Sequence, residues 1–178
     1  MDAPARRPKV RRSMSPATIA ILIFAGLTVL RLTIFAPELA SDGKPRTSAT
    51  VKYVIDGDTF DLDDGTRIRM LGINAPEAGF GDKVAEPHSA EATEWLRNRI
   101  HGRQMLLRID YPKTDRYGRT LAWVFEPDGT LVNRQMLLEG KVKLLADFGL
   151  PPDLESSLRE AESEARILKL GVWGKKPK

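Results

Sequence analysis

The chain has 178 residues, room for one domain with appendages, and its 29% charged and 42% hydrophobic residues are those of an ordinary globular protein. It has no cysteine and two histidines, His88 and His101, which excludes disulfides, thiolate metal sites and a histidine-rich zinc site. The net charge of +4 is concentrated at one end: Arg6, Arg7, Lys9, Arg11 and Arg12 stand against Asp2, and setting these and Arg31 aside leaves −1 for residues 32–178. Overall charge is then no argument for nucleic-acid binding, and any attraction for phosphate must be local.

Residues 1–16 are basic, proline-containing and aperiodic, and read as a disordered tail. Residues 17–36 are apolar apart from Arg31 and a few threonines. Twenty residues at a rise of about 1.5 Å span a bilayer core of roughly 30 Å, and the basic cluster ahead of them puts the remainder across the membrane. This segment reads as a transmembrane signal anchor, holding a single-pass protein at the cytoplasmic (inner) membrane with its domain on the periplasmic or extracellular side. A cleaved signal, giving a secreted protein, is the rival; small residues at −3 and −1 are poorly supplied, since a cut after Ala40 places Glu38 at −3. A buried core helix fits the basic tail and all-round hydrophobicity less well. Residues 37–49 are small, polar and proline-bearing, a linker.

From Thr50 the pattern becomes that of strands. Val51, Tyr53 and Ile55 alternate with polar residues, Asp56-Gly57-Asp58 turns the chain, Thr59–Leu62 resumes, and Asp63-Asp64-Gly65 is a hairpin signal before the strand that holds Arg69. Three antiparallel strands are thus predicted over Thr50–Ile73. Residues 78–87 lack periodicity and read as a surface loop. Ala92, Trp95, Leu96 and Ile100 share a face, predicting a helix over Ser89–Ile100 that stops at Gly102. Strands are predicted at Gln104–Asp110 and Thr120–Glu126 with a polar loop Tyr111–Arg119 between them, and a short helix at Leu131–Leu138 before Gly140. Asp153, after two prolines, reads as the N-cap of a last helix with Leu154, Leu158, Ala161, Ala165 and Leu168 inward and Glu155–Arg159 and Glu162–Arg166 pairs on its wet side. The fold class is α+β: a five-stranded OB-like β-barrel with three packed helices, preceded by one transmembrane helix. Residues 175–178 form a basic C-terminal tail.

Three polar clusters fall at strand ends or in loops: Asp56-Gly57-Asp58-Thr59, Arg69…Asn74-Ala75-Pro76-Glu77, and Thr114-Asp115-Arg116-Tyr117-Gly118-Arg119. Singly, the first reads as a turn, and Arg119 beside Asp115 as a surface ion pair. Together they offer carboxylate and amide oxygens for a hard cation such as Ca²⁺, two arginines for a phosphate, and a further carboxylate to activate water. That set points to phosphodiester hydrolysis.

These motifs, with Glu91-Ala92, Asn133, Gly140 and Gly171-Val172-Trp173-Gly174, make residues 50–174 resemble the staphylococcal nuclease (thermonuclease) family, as a membrane-anchored bacterial member. The resemblance implies an OB barrel and calcium-assisted endonuclease cleavage of DNA and RNA with little sequence specificity, by a monomer. Carried over, it makes Asp58, Asn74 and the Ala75 carbonyl the metal ligands, Glu77 the general base, and Arg69 and Arg119 the residues that grip the scissile phosphate. Tyr117 lines the nucleotide pocket, with Arg116, Lys141, Lys143 and Phe148 as further substrate contacts. The resemblance departs in two places. The second metal position is aspartate in the best-known members and Asn74 here, and of two stacking tyrosines after the second helix only Phe148 offers a substitute. Two other readings stay open: a nuclease-like module that binds nucleic acid or a protein without cutting, which Asn74 motivates, and an oligosaccharide-binding OB domain, which paired arginines fit badly.

Overall fold

A computed structural model of the chain describes residues 44, 46–79 and 81–175. The segment 17–36, the basic tail, most of the 37–49 stretch and residues 176–178 lie outside the described residues. Among the described residues no helix is long and apolar enough to cross a membrane.

Five strands close a barrel: β1 (Thr47–Val54), β2 (Thr59–Leu62), β3 (Arg67–Met70), β5 (Gln104–Thr114) and β6 (Thr120–Phe125), in the order β1-β2-β3-β6-β5. A two-stranded ribbon pairs β4 (Ile73–Asn74) with β7 (Lys143–Leu144). Helices α1 (Ser89–Ile100), α2 (Val132–Leu138) and α3 (Pro152–Ile167) pack with it, followed by a 3-10 turn at Gly171–Trp173. The barrel closes because β1 serves two neighbours. Its first half, Thr47–Thr50, pairs with β5, and after an irregularity at Val51/Tyr53 its second half pairs with β2. Such a break lets one strand turn from one side of a barrel to the next. β3 and β6 run parallel, Arg69 opposite Leu121. Val51, Val54, Phe60, Ile68, Met70 and Val124 fill the interior.

The α1 bounds agree with the 3.6-residue pattern, since Ala92, Leu96 and Ile100 are buried on one face. Elsewhere the backbone departs from the expectation. β1 begins at Thr47, inside the stretch read as a linker, because Thr47 and Ser48 gain β5 as a ladder partner that no local pattern announces. β5 runs on to Thr114, into the segment read as a loop, because Thr114 pairs with Thr120 across the tight 115–119 turn. Asp153 is not the cap of α3. Pro151 holds that position, and the Asp153 carboxylate is drawn instead to Lys44 (2.7 Å) and to Arg108 of β5 (2.7 Å). Glu162 does pair with Arg166, yet it is buried rather than on the wet side, since its Oε1 accepts the Leu144 N–H at 2.8 Å. Leu168 lies beyond the last turn of α3 and is exposed.

Two residues fix the turn after β3. Gly72 has φ +67°, and a Cβ there would lie 2.4 Å from the Trp123 ring, so glycine is required twice over. Asn133, fully buried, donates to the Leu71 carbonyl (2.8 Å) and accepts from the Val124 N–H (3.0 Å), stitching that turn to β6. The chain therefore leaves β3 sharply and re-pairs as β4, with the Leu145 N–H donating to Gly72 O at 2.9 Å.

Candidate functional site

Asp58 sits where the β1–β2 turn meets α1. Asp56 Oδ1 accepts the Asp58 N–H at 2.9 Å, the self-closing turn that aspartate favours. Gly57 is a contact point: a Cβ on it would lie 2.7 Å from the Ala75 Cβ and 2.9 Å from the Ala92 Cβ. Helix α1 can therefore seat directly against the turn and against Ala75. The Asp58 side chain, 6% exposed, accepts from the Ala75 N–H (2.8 Å) and the Thr59 hydroxyl (3.1 Å) and faces the Arg69 guanidinium at 3.0 Å. Burial pushes the Asp58 carboxyl up to about 6, Asp56 adding to it, against the opposing pull of Arg69, Ala75 and Thr59.

That shift fixes a sign. A carboxyl raised from 3.8 to about 6 binds its proton more tightly in the folded chain. Its effect on metal-free stability is absent below the unfolded value and grows unfavourable as pH rises through the folded one, by up to a few kcal/mol. Asp58→Asn removes the ionisation at nearly constant size. In chelator, calorimetry should show it unfolding at higher temperature than the parent at pH 8 and at about the same temperature at pH 3.5. Functional sites commonly trade stability in this way.

Arg69 is held on two sides. Nη1 donates to the carbonyls of Met70 and Ile73 (3.0 Å to the latter), so the β3–β4 turn wraps the guanidinium. Nη2 lies 3.2 Å from Asn74 Oδ1 and 3.0 Å from Asp58 Oδ2. A carboxylate oxygen and an amide oxygen thus converge on one positively charged nitrogen. Asn74 is kept there by pairing with Lys143 across the ribbon, whose β7 strand is held in turn by Glu162. Glu77, two residues past Ala75, is exposed, and its carboxylate makes no hydrogen bond or ion pair among the described residues.

Arg119 is organised separately. Asp115 accepts its Nε (2.7 Å) and N–H (3.0 Å) and also the Tyr117 N–H (2.9 Å). Burial opposes ionisation of Asp115, but these donors hold its carboxyl below the usual range. No contact joins Arg119 to Arg69, yet β6 lies beside β3. With Arg69 opposite Leu121, strand spacing and rise put the two arginine Cα atoms about 8 Å apart. Tyr117, 68% exposed, has the Arg116 guanidinium 4.8 Å and that of Arg119 5.5 Å from its ring centre. Phe148 is 90% exposed in the loop between β7 and α3. Lys143 lines a cavity of about 340 Å³ together with Asn74, Ala75, Pro76, Glu86 and His88. Lys141 lies near Glu91 of α1, whose carboxyl it helps to hold low after the larger effect of His88.

The structure thus unites the first two sequence clusters by direct hydrogen bonds and places the third on the neighbouring strand. Sequence reasoning missed two polar partners. Thr59 was legible only as part of its motif, and Glu86, which meets Glu77, lies across an aperiodic loop that gives no signal. Among the described residues no group of three His, Cys, Asp or Glu side chains gathers. One carboxylate, one amide and one backbone carbonyl form an oxygen set that suits a hard cation held with modest affinity.

Comparison with known proteins agrees. The family described as Staphylococcal nuclease homologue matches residues 67–175, from β3 onward. The thermonuclease of Staphylococcus intermedius is 31% identical over 172 residues, 90% of this chain and 99% of that protein, and the thermonuclease of Staphylococcus hyicus is 28% identical over 163 residues. A protein named "Probable endonuclease lcl3" from Sclerotinia sclerotiorum is 38% identical over 122 residues, which is 62% of this chain and 43% of the fungal protein. The chain thus spans less than half the length of that fungal relative and nearly all of the first thermonuclease. On this evidence the chain belongs to the staphylococcal nuclease family.

Proposed function

We propose that the barrel domain is a calcium-assisted endonuclease that hydrolyses phosphodiester bonds of DNA and RNA with little sequence specificity. The observation that carries this reading is the convergence of Asp58 Oδ2 and Asn74 Oδ1 on Arg69 Nη2, with the exposed Glu77 three residues past Asn74. Asp58, Asn74 and the Ala75 carbonyl would hold the Ca²⁺, which when bound supplies positive charge beside the scissile phosphate.

The chain's own groups do the rest. Glu77 orients a water and accepts its proton as the oxygen attacks phosphorus; the ester P–O bond opposite breaks, and the departing oxygen takes a proton from solvent. Arg69, already fixed by two carbonyls, and Arg119, fixed by Asp115, donate to the non-bridging oxygens, where charge grows in the transition state. Because both guanidiniums are held before substrate arrives, little reorganisation is needed. Tyr117, Arg116 and Phe148 offer faces to the bases, and Lys141 and Lys143 attract the backbone, a sequence-tolerant way to hold a single strand. Residues 17–36 tether a monomer to the membrane, with the domain outside the cytoplasm.

The test is degradation of single-stranded DNA and of RNA by the full chain in Ca²⁺ and in chelator. Cleavage of both in Ca²⁺ and none in chelator supports the reading. Salt-sensitive binding without cleavage would replace it with a module that only binds. Asn74 motivates that second reading, because an amide in place of a carboxylate removes one negative charge from the ligand set.

A further inference from the structure

Glu77 is exposed, and neither a strand nor a helix holds it. Its backbone is nevertheless pinned. The Glu77 N–H donates to Glu86 Oε2 at 3.1 Å, and the Glu86 N–H donates to Glu77 O at 2.9 Å. The two residues close the neck of the loop between them with one side-chain and one backbone hydrogen bond. Glu86 is itself anchored: its carbonyl accepts the Ser89 N–H at 3.2 Å, at the first residue of α1. Helix α1 is fixed against the site through Ala92, fully buried beside Gly57 and Ala75. A continuous path of contacts therefore runs from the Asp58 turn into α1, back through Glu86, and to the backbone of Glu77.

We propose that Glu86 is a positioning residue that fixes the backbone of Glu77 relative to Asp58 and Asn74, using α1 as the rigid reference. This rests on the hydrolase reading of the site for its consequence in catalysis, but not for the clamp itself. Pro76 precedes Glu77 and has no N–H to give, so the Glu77 N–H is the first backbone donor after Ala75 that can be gripped. A carboxylate accepting a backbone N–H makes a stronger bond than a neutral acceptor does. Without it, Glu77 is tied to the ribbon only through the chain, and a base displaced by about 1 Å loses much of its effect. Glu86 lines the same cavity as Asn74 and Ala75 but, among the described residues, makes no hydrogen bond or ion pair to them or to Asp58, so its removal should lower turnover and leave substrate affinity nearly unchanged.

The experiment uses the full chain with Glu86→Ala, Glu86→Gln and, as a control in the same loop, Asp82→Ala. Amide hydrogen exchange at Glu77 is read without nucleic acid, and kcat and KM are read on single-stranded DNA in Ca²⁺. Glu86→Ala is expected to speed Glu77 exchange and lower kcat, each about tenfold, with KM within about twofold. Glu86→Gln keeps an acceptor oxygen and should recover most of both losses, while Asp82→Ala should change neither. Unchanged exchange in Glu86→Ala overturns the proposal, as does faster exchange with an unchanged kcat. Faster exchange in a chain that cuts nothing even as wild type would retain the clamp and reject the hydrolase reading instead.

Discussion

Arg69→Lys is expected to lower kcat/KM on DNA by about 10²–10³-fold while the protein stays folded. Lysine keeps the charge, so attraction for phosphate and the partner for Asp58 survive in part. What is lost is the fork. Arg69 satisfies the Met70 and Ile73 carbonyls with one nitrogen and reaches Asp58 and Asn74 with the other. A single ammonium cannot span both sides, and it presents no planar pair of donors to a phosphate. The hydrogen bonds to the Met70 and Ile73 carbonyls are partly buried, so losing them should cost about 1–3 kcal/mol of stability. Steady-state kinetics beside denaturant unfolding would separate the two effects. A loss of activity no larger than the loss of folded protein would remove Arg69 from the chemistry.

Asp153→Ala is expected to produce a large loss of stability, about 3 kcal/mol in denaturant unfolding at pH 7. Arg108 is 1% exposed in the middle of β5, with the Trp123 ring 5.8 Å from its guanidinium carbon and Asp110 at 3.4 Å. Asp153 reaches it at 2.7 Å, and the variant would take this carboxylate away from a buried charge. The carboxyl also reports through pH. Burial alone would raise it, but hydrogen bonds from Lys44 and Arg108 and the charge of Arg108 hold it down at about 2. A depressed carboxyl stabilises the fold above its unfolded value of 3.8, and that contribution is lost as pH falls toward 2. The parent should therefore lose stability between pH 4 and 2 that Asp153→Asn does not lose, by about 1 kcal/mol once solvent screening at this exposed carboxylate is allowed for.

The same two residues mark where local pattern ceases to inform. In Met105-Leu106-Leu107-Arg108-Ile109-Asp110 an arginine reads as the solvent face of a strand. It is buried because α3, whose first turn lies about 45 residues later, lays Asp153 over it. Distant pairing also moved the start of β1 and the end of β5, since a ladder partner leaves no trace in the strand that receives it. By contrast the bounds of α1 and the hairpin at Asp63–Gly65 were legible, because helical spacing and positive-φ turns are properties of adjacent residues, whereas Gly72 reads as part of an apolar strand running to Ile73 and instead turns the chain after Met70. The motifs set Asp58, Arg69 and Asn74 in one site with different roles, and the structure brings Asp58 and Asn74 each to within hydrogen-bond distance of Arg69. The grip of Met70 and Ile73 on Arg69, the wedge of Gly57 between Ala75 and Ala92, and the hold of Glu86 on Glu77 depend on three-dimensional closure and have no counterpart in spacing.

In the proposed reaction Glu77 activates the attacking water at a site built by Asp58, Arg69 and Asn74. The most direct test is the single-turnover rate of single-stranded DNA hydrolysis in saturating Ca²⁺, wild type against Glu77→Gln, with substrate binding measured on both. The rate in the variant is expected to be lower by about 10²–10⁴-fold, with affinity within about threefold. Equal rates would contradict it.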